Sequence, residues 1–233
     1  MIGIIINSIL IVVGGVLGLL VGNRISDKVQ SFMMSALGLC IIFLGIQMAL
    51  EVRQVPVVLC AVTAGAAIGQ ALEIDEKLVA WGNRIDAKFA KGDGPKPMAA
   101  FIATSLVYCI GSMAILGPLQ AGLTGNIDTL LVKGILDGVS AVIFATTLGV
   151  GVLLSSISVF GAQTLIFLFA KILAPFLTDA VMQDLTSAGG IIVMGIGIKM
   201  FFDKKDLPVA NFLPAIPIPV IVYGVASLLG FTL

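Results

Sequence analysis

Lys133 and Asp137 stand one helical turn apart inside a long apolar stretch, in Lys133-Gly134-Ile135-Leu136-Asp137-Gly138. A charged side chain in hydrocarbon costs about 2.5–3.5 kcal/mol on insertion scales, so each needs a reason to be there. A spacing of four lets them pair across the turn. The same carboxylate, facing the protein interior, would be a cation or proton acceptor, with Ser140, Thr146 and Thr147 offering hydroxyls beyond it. Lys171 interrupts a second apolar stretch. It either snorkels toward the membrane surface or neutralises Asp137 or an anionic substrate. Asn7, Ser112, Gln120, Asn126, Gln163 and Asn211 complete the polar inventory of the apolar runs, and each can also bond across helices.

Much chemistry is excluded by residue type. There is no His, which removes the commonest metal ligand and the group that titrates near neutral pH. Cys40, Cys60 and Cys109 stand alone in apolar runs, with no CxxC, and read as small buried hydrophobes. Methionines such as Met33, Met34, Met113 and Met194 are scattered rather than laddered as a copper path requires. No Walker loop, nucleophile elbow or paired catalytic carboxylate appears. The expectation is a protein that is not an enzyme, with no cofactor and no metal site. Thirteen Lys and Arg balance 13 Asp and Glu, which argues against a nucleic-acid partner.

The elements that carry these residues follow from composition. Of 233 residues, 59% are hydrophobic and 11% charged, with a mean hydropathy of +1.16. A water-soluble globule carries about a quarter charged residues, so that class is excluded. A crossing needs about 20 apolar residues. Eight such stretches are read at 3–22, 32–50, 55–72, 98–119, 134–154, 158–177, 186–202 and 208–230. Ser155, Ser156, Ser158 and Gly161 are the expected turn between the fifth and sixth. Leu116-Gly117-Pro118 is expected to break the fourth, unwinding it through Leu119-Gln120-Ala121-Gly122.

Basic residues collect on one side when the N-terminus is placed outside. Arg24, Lys28, Lys77, Arg84, Lys88, Lys91, Lys96, Lys204 and Lys205 then lie inside, and only Arg53 and Lys133 outside. This predicts a multi-pass protein of the bacterial inner membrane with both termini outside. Met1-Ile2-Gly3-Ile4 lacks the basic start of a cleavable signal, so the first stretch is expected to be a retained span. Within 73–97, Ile74, Leu78, Trp81, Ile85 and Phe89 fall on one helical face, predicting a cytoplasmic interfacial helix ended by Gly92-Asp93-Gly94-Pro95.

The chain also matches itself at an offset of 152 residues, with ten identities over positions 27–57. They include Ser35-Ala36 with Ser187-Ala188, Gly38 with Gly190, Gly45 with Gly197, and Pro56-Val57 with Pro208-Val209. About three are expected by chance in so apolar a composition. Spans 1–3 thus correspond to spans 6–8. Five spans separate the copies, so they are inverted relative to each other. The expected fold is all-α and polytopic, arranged 3 + 2 + 3: a first repeat over 1–72, the loop helix over 73–97, two inserted spans over 98–154, and a second, inverted repeat over 155–233. Pro214, Pro217 and Pro219 break span 8. Thr63 and Gly65 lie at the matching depth of span 3, which is expected to be weakened or broken there. Small residues at Gly14, Gly18 and Gly22, and at Ala61, Gly65 and Gly69, form seams for close helix packing.

Ala103-Thr104-Ser105-Leu106-Val107-Tyr108-Cys109-Ile110-Gly111-Ser112-Met113-Ala114-Ile115 and Lys133 through Ala141, followed by Phe144-Ala145 and Leu148-Gly149-Val150-Gly151, carry a family likeness. With Gly22-Asn23-Arg24 and Leu213-Pro214-Ala215, they resemble the bacterial membrane family called domain of unknown function 554 (YdfK/YqgA-like). The resemblance spans the chain, implies a small inner-membrane protein, and carries no ligand residue with it. From the residues themselves, the expectation is a secondary transporter of a small solute or ion, its site between spans 3 and 8 at the repeat interface. The alternatives are a non-transporting scaffold and a passive channel. The lipid bilayer is the expected partner, and the glycine seams suit a homo-oligomer.

Overall fold

In hydrocarbon a backbone N–H or C=O left unbonded is costly, so apolar stretches of this length form helices. The computed structural model describes residues 1–22, 26–89, 97–202 and 207–229. Their elements are α1 (Ile2–Gly22), α2 (Asp27–Ala49), α3 (Val55–Ala71), α4 (Ile74–Phe89), α5 (Pro97–Cys109), α6 (Ser112–Leu123), α7 (Asp128–Leu148), α8 (Gly151–Leu168), α9 (Ala170–Leu173), α10 (Asp179–Phe201), a 3-10 segment (Val209–Ala215) and α11 (Ile218–Leu228). The described residues contain no strand. Six of these stretches are long and apolar enough to cross a membrane, and up to eight if two bent pairs each count as one crossing. The bent pairs are α3 with the start of α4 (57°) and α5 with α6 (64°). The chain is an all-α polytopic membrane protein.

Two breaks lie elsewhere than the residues suggested, and a third is absent from its expected place. The fourth span breaks at Ile110–Gly111, not at Pro118, which stays inside α6. Gly111 has φ 132° and ψ 153°, a conformation essentially restricted to glycine. Pro118 removes a single hydrogen bond, whose acceptor would be Ala114 in the first turn of α6. The turn between α7 and α8 is at Gly149, with φ 74°, not among the serines. Ser155, Ser156 and Ser158 donate to the carbonyls of Val152, Leu153 and Ser155 at 2.6, 2.7 and 2.8 Å, so the helix itself satisfies them. Span 3 is unbroken, because glycine weakens a helix without removing a hydrogen bond, as proline does. Span 8 is broken as expected, the 3-10 segment holding Pro214 and α11 beginning after Pro217.

One compact unit comprises Met1–Leu37 and Ala80–Ile172. Its centre is α1 lying parallel to α7. Gly3 faces Leu130, Gly14 the Gly138 carbonyl, Gly18 the Val142 carbonyl and Gly22 Thr146, so the predicted small-residue seam brings the backbones together. Alongside, α5 runs parallel to α8: Gly151 faces Pro97 and Ala100, and Ser158 donates to Ser105 at 2.6 Å.

The second unit comprises Gly38–Val79 and Leu173–Leu233. Here α2 and α10 cross antiparallel, with Gly38 against Gly197 and Gly45 against Gly190. The contacts are reciprocal. A methyl on Gly38 would lie 3.0 Å from the Gly197 oxygen and 2.8 Å from the Phe201 nitrogen; one on Gly190 would lie 2.7 Å from the Gly45 oxygen and 2.5 Å from the Ala49 nitrogen. Antiparallel to the 3-10 segment, α3 packs with Gly65 on Ala215 and Gly69 on Asn211. The corner between α3 and α4 is tied to it as well: Asn211 donates to Gln70 (2.9 Å) and accepts from the Asp75 amide (2.7 Å), and Asp75 accepts from the Ala210 amide (3.1 Å). The predicted loop helix is present as α4, with Trp81 exposed. Its expected terminator, Gly92-Asp93-Gly94-Pro95, lies outside the described residues, as do Arg24, Lys91, Lys96, Lys204, Lys205 and the side chains of Ile85, Lys88 and Phe89.

Candidate functional site

The first turns of α7 bring Lys133 and Asp137 onto one face, and that face is turned into the first unit. Lys133 and Asp137 are 7% and 6% exposed. The Lys133 ammonium donates to both carboxylate oxygens, at 2.9 and 2.8 Å. Two charges this little exposed need such a geometry, because burial takes away most of their contact with solvent. From α1, Asn7 packs against α7 at Gly134, one turn from Asp137, and donates its amide to Gln163 of α8 at 3.3 Å. Gly134 faces Asn7, so a larger residue there would separate Asn7 from α7.

The break in the fourth span lies beside this pair. Tyr108 and Cys109 end α5 within electrostatic range of Asp137, and Cys109 also of Lys133. The Tyr108 ring is buried and stacks on Phe144 of α7, with centroids 5.9 Å apart. Two residues further on, Gly111 turns the chain and Ser112 opens α6.

Several buried polar atoms of this unit have no hydrogen-bond partner among the described residues. They are Asn7 Oδ1 and Ser8 Oγ on α1, Tyr108 Oη on α5, and Gln163 Nε2 and Thr164 Oγ1 on α8. Buried polar atoms in folded proteins are rarely left unbonded. Five such atoms lie in the first unit, on α1, α5 and α8, three helices that each pack on α7.

Of the candidate residues, the fold brings together Asp137 and Asn7, and places Ser112 at the adjoining break. Gln120 accepts from Thr129 at 2.8 Å. Ser140 returns its hydroxyl to the Leu136 carbonyl at 2.5 Å. Lys171 is exposed on α9. Thr63 is exposed and donates to the Leu59 carbonyl at 2.7 Å. Gly65, Pro214, Pro217 and Pro219 belong to the second unit, where α3 and the 3-10 segment touch backbone to backbone at Gly65.

Residue types alone did not single out Tyr108, to which the break at Gly111 was the signal; Gln163 stood among the polar residues of the apolar runs with nothing to set it apart. Asp184 was overlooked because the seventh span was begun at 186, whereas α10 starts at Asp179. Asp184 is fully buried. One oxygen accepts the amides of Arg53 (2.8 Å) and Gln54 (2.9 Å) ahead of α3, and the other the Tyr223 hydroxyl (2.8 Å). A carboxylate at a helix N-terminus is stabilised by the helix dipole, and this one caps α3 from a distant part of the chain.

The chain is 29% identical over 234 residues to the uncharacterized membrane protein YdfK of Bacillus subtilis (strain 168), covering 99% of each. It is 28% identical over 219 residues to the uncharacterized protein YqgA of Escherichia coli (strain K12), covering 92% of this chain and 93% of the relative. No solved structure matches. Residues 2–224 match the family described as "Protein of unknown function (DUF554)", and the chain belongs to that family.

Proposed function

We propose that this protein is a secondary transporter of a small solute or ion, with its pathway through the unit that holds the Lys133–Asp137 pair. The observation that carries the reading is the break at Ile110–Gly111 beside a buried ion pair. Irregular backbone at membrane depth is tolerated only when it is buried in protein or lines a wet cavity. Half-helices meeting next to charged groups are a recurrent binding device of transporters. The contact of α3 with the 3-10 segment argues for this unit over the repeat interface as the path.

The helix directions support eight crossings. Counting each bent pair as one makes α1 and α7 the first and fifth crossings, α2 and α10 the second and seventh, and α5 and α8 belong to the fourth and sixth. Parallel, antiparallel and parallel packing follow, which are the directions observed. Dropping one bent pair would reverse α1 against α7; dropping both would reverse α5 against α8. The reciprocal glycine contacts support the inverted repeat, since the offset of 152 carries Gly38 on Gly197 into Gly190 on Gly45. With the basic residues inside, both termini face outward from the inner membrane.

In proteoliposomes under an imposed ion gradient, screened against pooled small solutes, the wild-type chain is expected to give gradient-driven uptake. Asp137→Asn should reduce it at least about tenfold, the loss expected when a positioned ionisable group is removed, while the protein stays monodisperse. Uptake unchanged in Asp137→Asn would remove Asp137 from the mechanism.

A further inference from the structure

We infer that the solute is a small monoanion carried together with one proton, the proton resting on Asp137 and the anion on Lys133. The inference rests on the transport reading above and gives it a substrate class. It begins from charge. The empty site holds one ammonium and one carboxylate, joined by two hydrogen bonds, and its net charge is zero. An uncompensated charge in this buried place is costly. A metal cation would have to displace Lys133 from both oxygens of Asp137 and leave two positive charges side by side. An anion alone would compete with Asp137 for the ammonium. One proton and one monoanion together restore the balance. The proton passes from water to a carboxylate oxygen of Asp137, the ammonium is released, and the monoanion takes the carboxylate's place. The net charge of the loaded site is again zero.

The unbonded atoms fit this ligand. Tyr108 Oη and Gln163 Nε2 are donors without acceptors, on residues 1% and 2% exposed. With Lys133 they supply three donors to an anion from α5, α8 and α7, helices that pack on one another. Asn7 Oδ1 is an acceptor without a donor, on a residue packed against α7 at Gly134, one turn from Asp137, where a protonated carboxyl needs one. Ser8 and Thr164, their hydroxyls likewise unbonded, are the next residues on α1 and α8 and offer a place for water that delivers the proton. The titratable groups facing the pair are Tyr108 and Cys109 of α5; α1 and α8 present only amides and hydroxyls there.

The test is proton uptake on anion binding, which requires no flux. Purified protein in detergent, in weakly buffered solution with a pH-sensitive dye, is mixed with sodium chloride, formate, acetate or lactate. Binding of a monoanion is expected to take up about one proton per chain, and by linkage to tighten as the pH is lowered. Asp137→Asn should bind without proton uptake, Lys133→Gln should not bind, and Tyr108→Phe should bind about tenfold more weakly, as for a lost hydrogen bond to a charged group. No proton uptake with any of the four anions, in wild-type protein that is monodisperse, overturns the inference. Labelling of Cys109 by an impermeant thiol reagent on the same preparation separates the two failures. Labelled protein without uptake loses this substrate class but keeps a wet path, and protein that is neither labelled nor active loses the transport reading as well.

Discussion

A lysine and an aspartate held away from water stabilise a fold only as a pair. Removing one partner leaves the other's charge buried, at a cost of about 3–5 kcal/mol, whereas replacing both with apolar residues of similar volume is near neutral. Lys133→Met and Asp137→Leu are therefore each expected to lower the thermal unfolding temperature of the detergent-solubilised protein, and the double variant to recover most of the loss. Single variants as stable as wild type would mean that water already reaches the pair and carries its charge. Transport activity should stay absent in the double variant, which separates the pair's structural part from its functional one. At this scale the residues were partly legible: a carboxylate in an apolar run announces itself, and its partner four residues away is a matter of helix geometry. Tyr108 did not announce itself, because aromatic side chains are common in membrane helices, and Gln163 stood in the polar inventory with nothing to set it apart. Their significance arises from which helices pack on α7, and no local pattern encodes that.

At the scale of elements, apolar length and charge spacing located the helices, and the errors fell at their breaks. Proline was given too much weight at 118 and glycine too little at 111 and 149. A proline near the start of a short helix removes one bond and leaves the rest of the ladder intact. A glycine at φ 132° redirects the chain altogether. Gly111→Ala is accordingly expected to cost about 1–3 kcal/mol of stability, the usual cost of a side chain forced into that conformation. Pro118→Ala should leave the melting temperature unchanged or raise it, since alanine restores the missing donor. Circular dichroism melts of the two variants decide the matter. A Gly111→Ala protein as stable as wild type, with Pro118→Ala the damaged one, would return the break to where the proline suggested. The serine run failed as a turn signal for a related reason: a hydroxyl in a helix can bond the carbonyl three residues back, as Ser155 and Ser156 do.

At the scale of the whole molecule, the proposal of eight crossings rests on the alternation of helix directions. Reporter fusions at the two ends are therefore expected to give the same sidedness, and a reporter inserted within residues 90–96 the opposite one. Opposite signals from the two ends would require seven crossings and break the parity argument. The proposed repeat rests on identities at one offset, and the glycines that offset pairs are those at the crossing of α2 and α10. The proposed path through the first unit was not legible, because the proline-rich eighth span drew attention to a place where α3 packs on Ala215 at Gly65. The central claim is that the Ile110–Gly111 break borders a path open to water. The chain carries its own reporter there in Cys109. With Cys40 and Cys60 replaced by alanine, impermeant thiol reagents are applied to right-side-out and to inverted membrane vesicles, with and without an imposed gradient. The account predicts that Cys109 is labelled, and that the side from which it is labelled shifts with the gradient. A Cys109 that stays unlabelled from both sides in folded protein, yet reacts once the protein is unfolded, would contradict it and leave the pair as a dry structural contact.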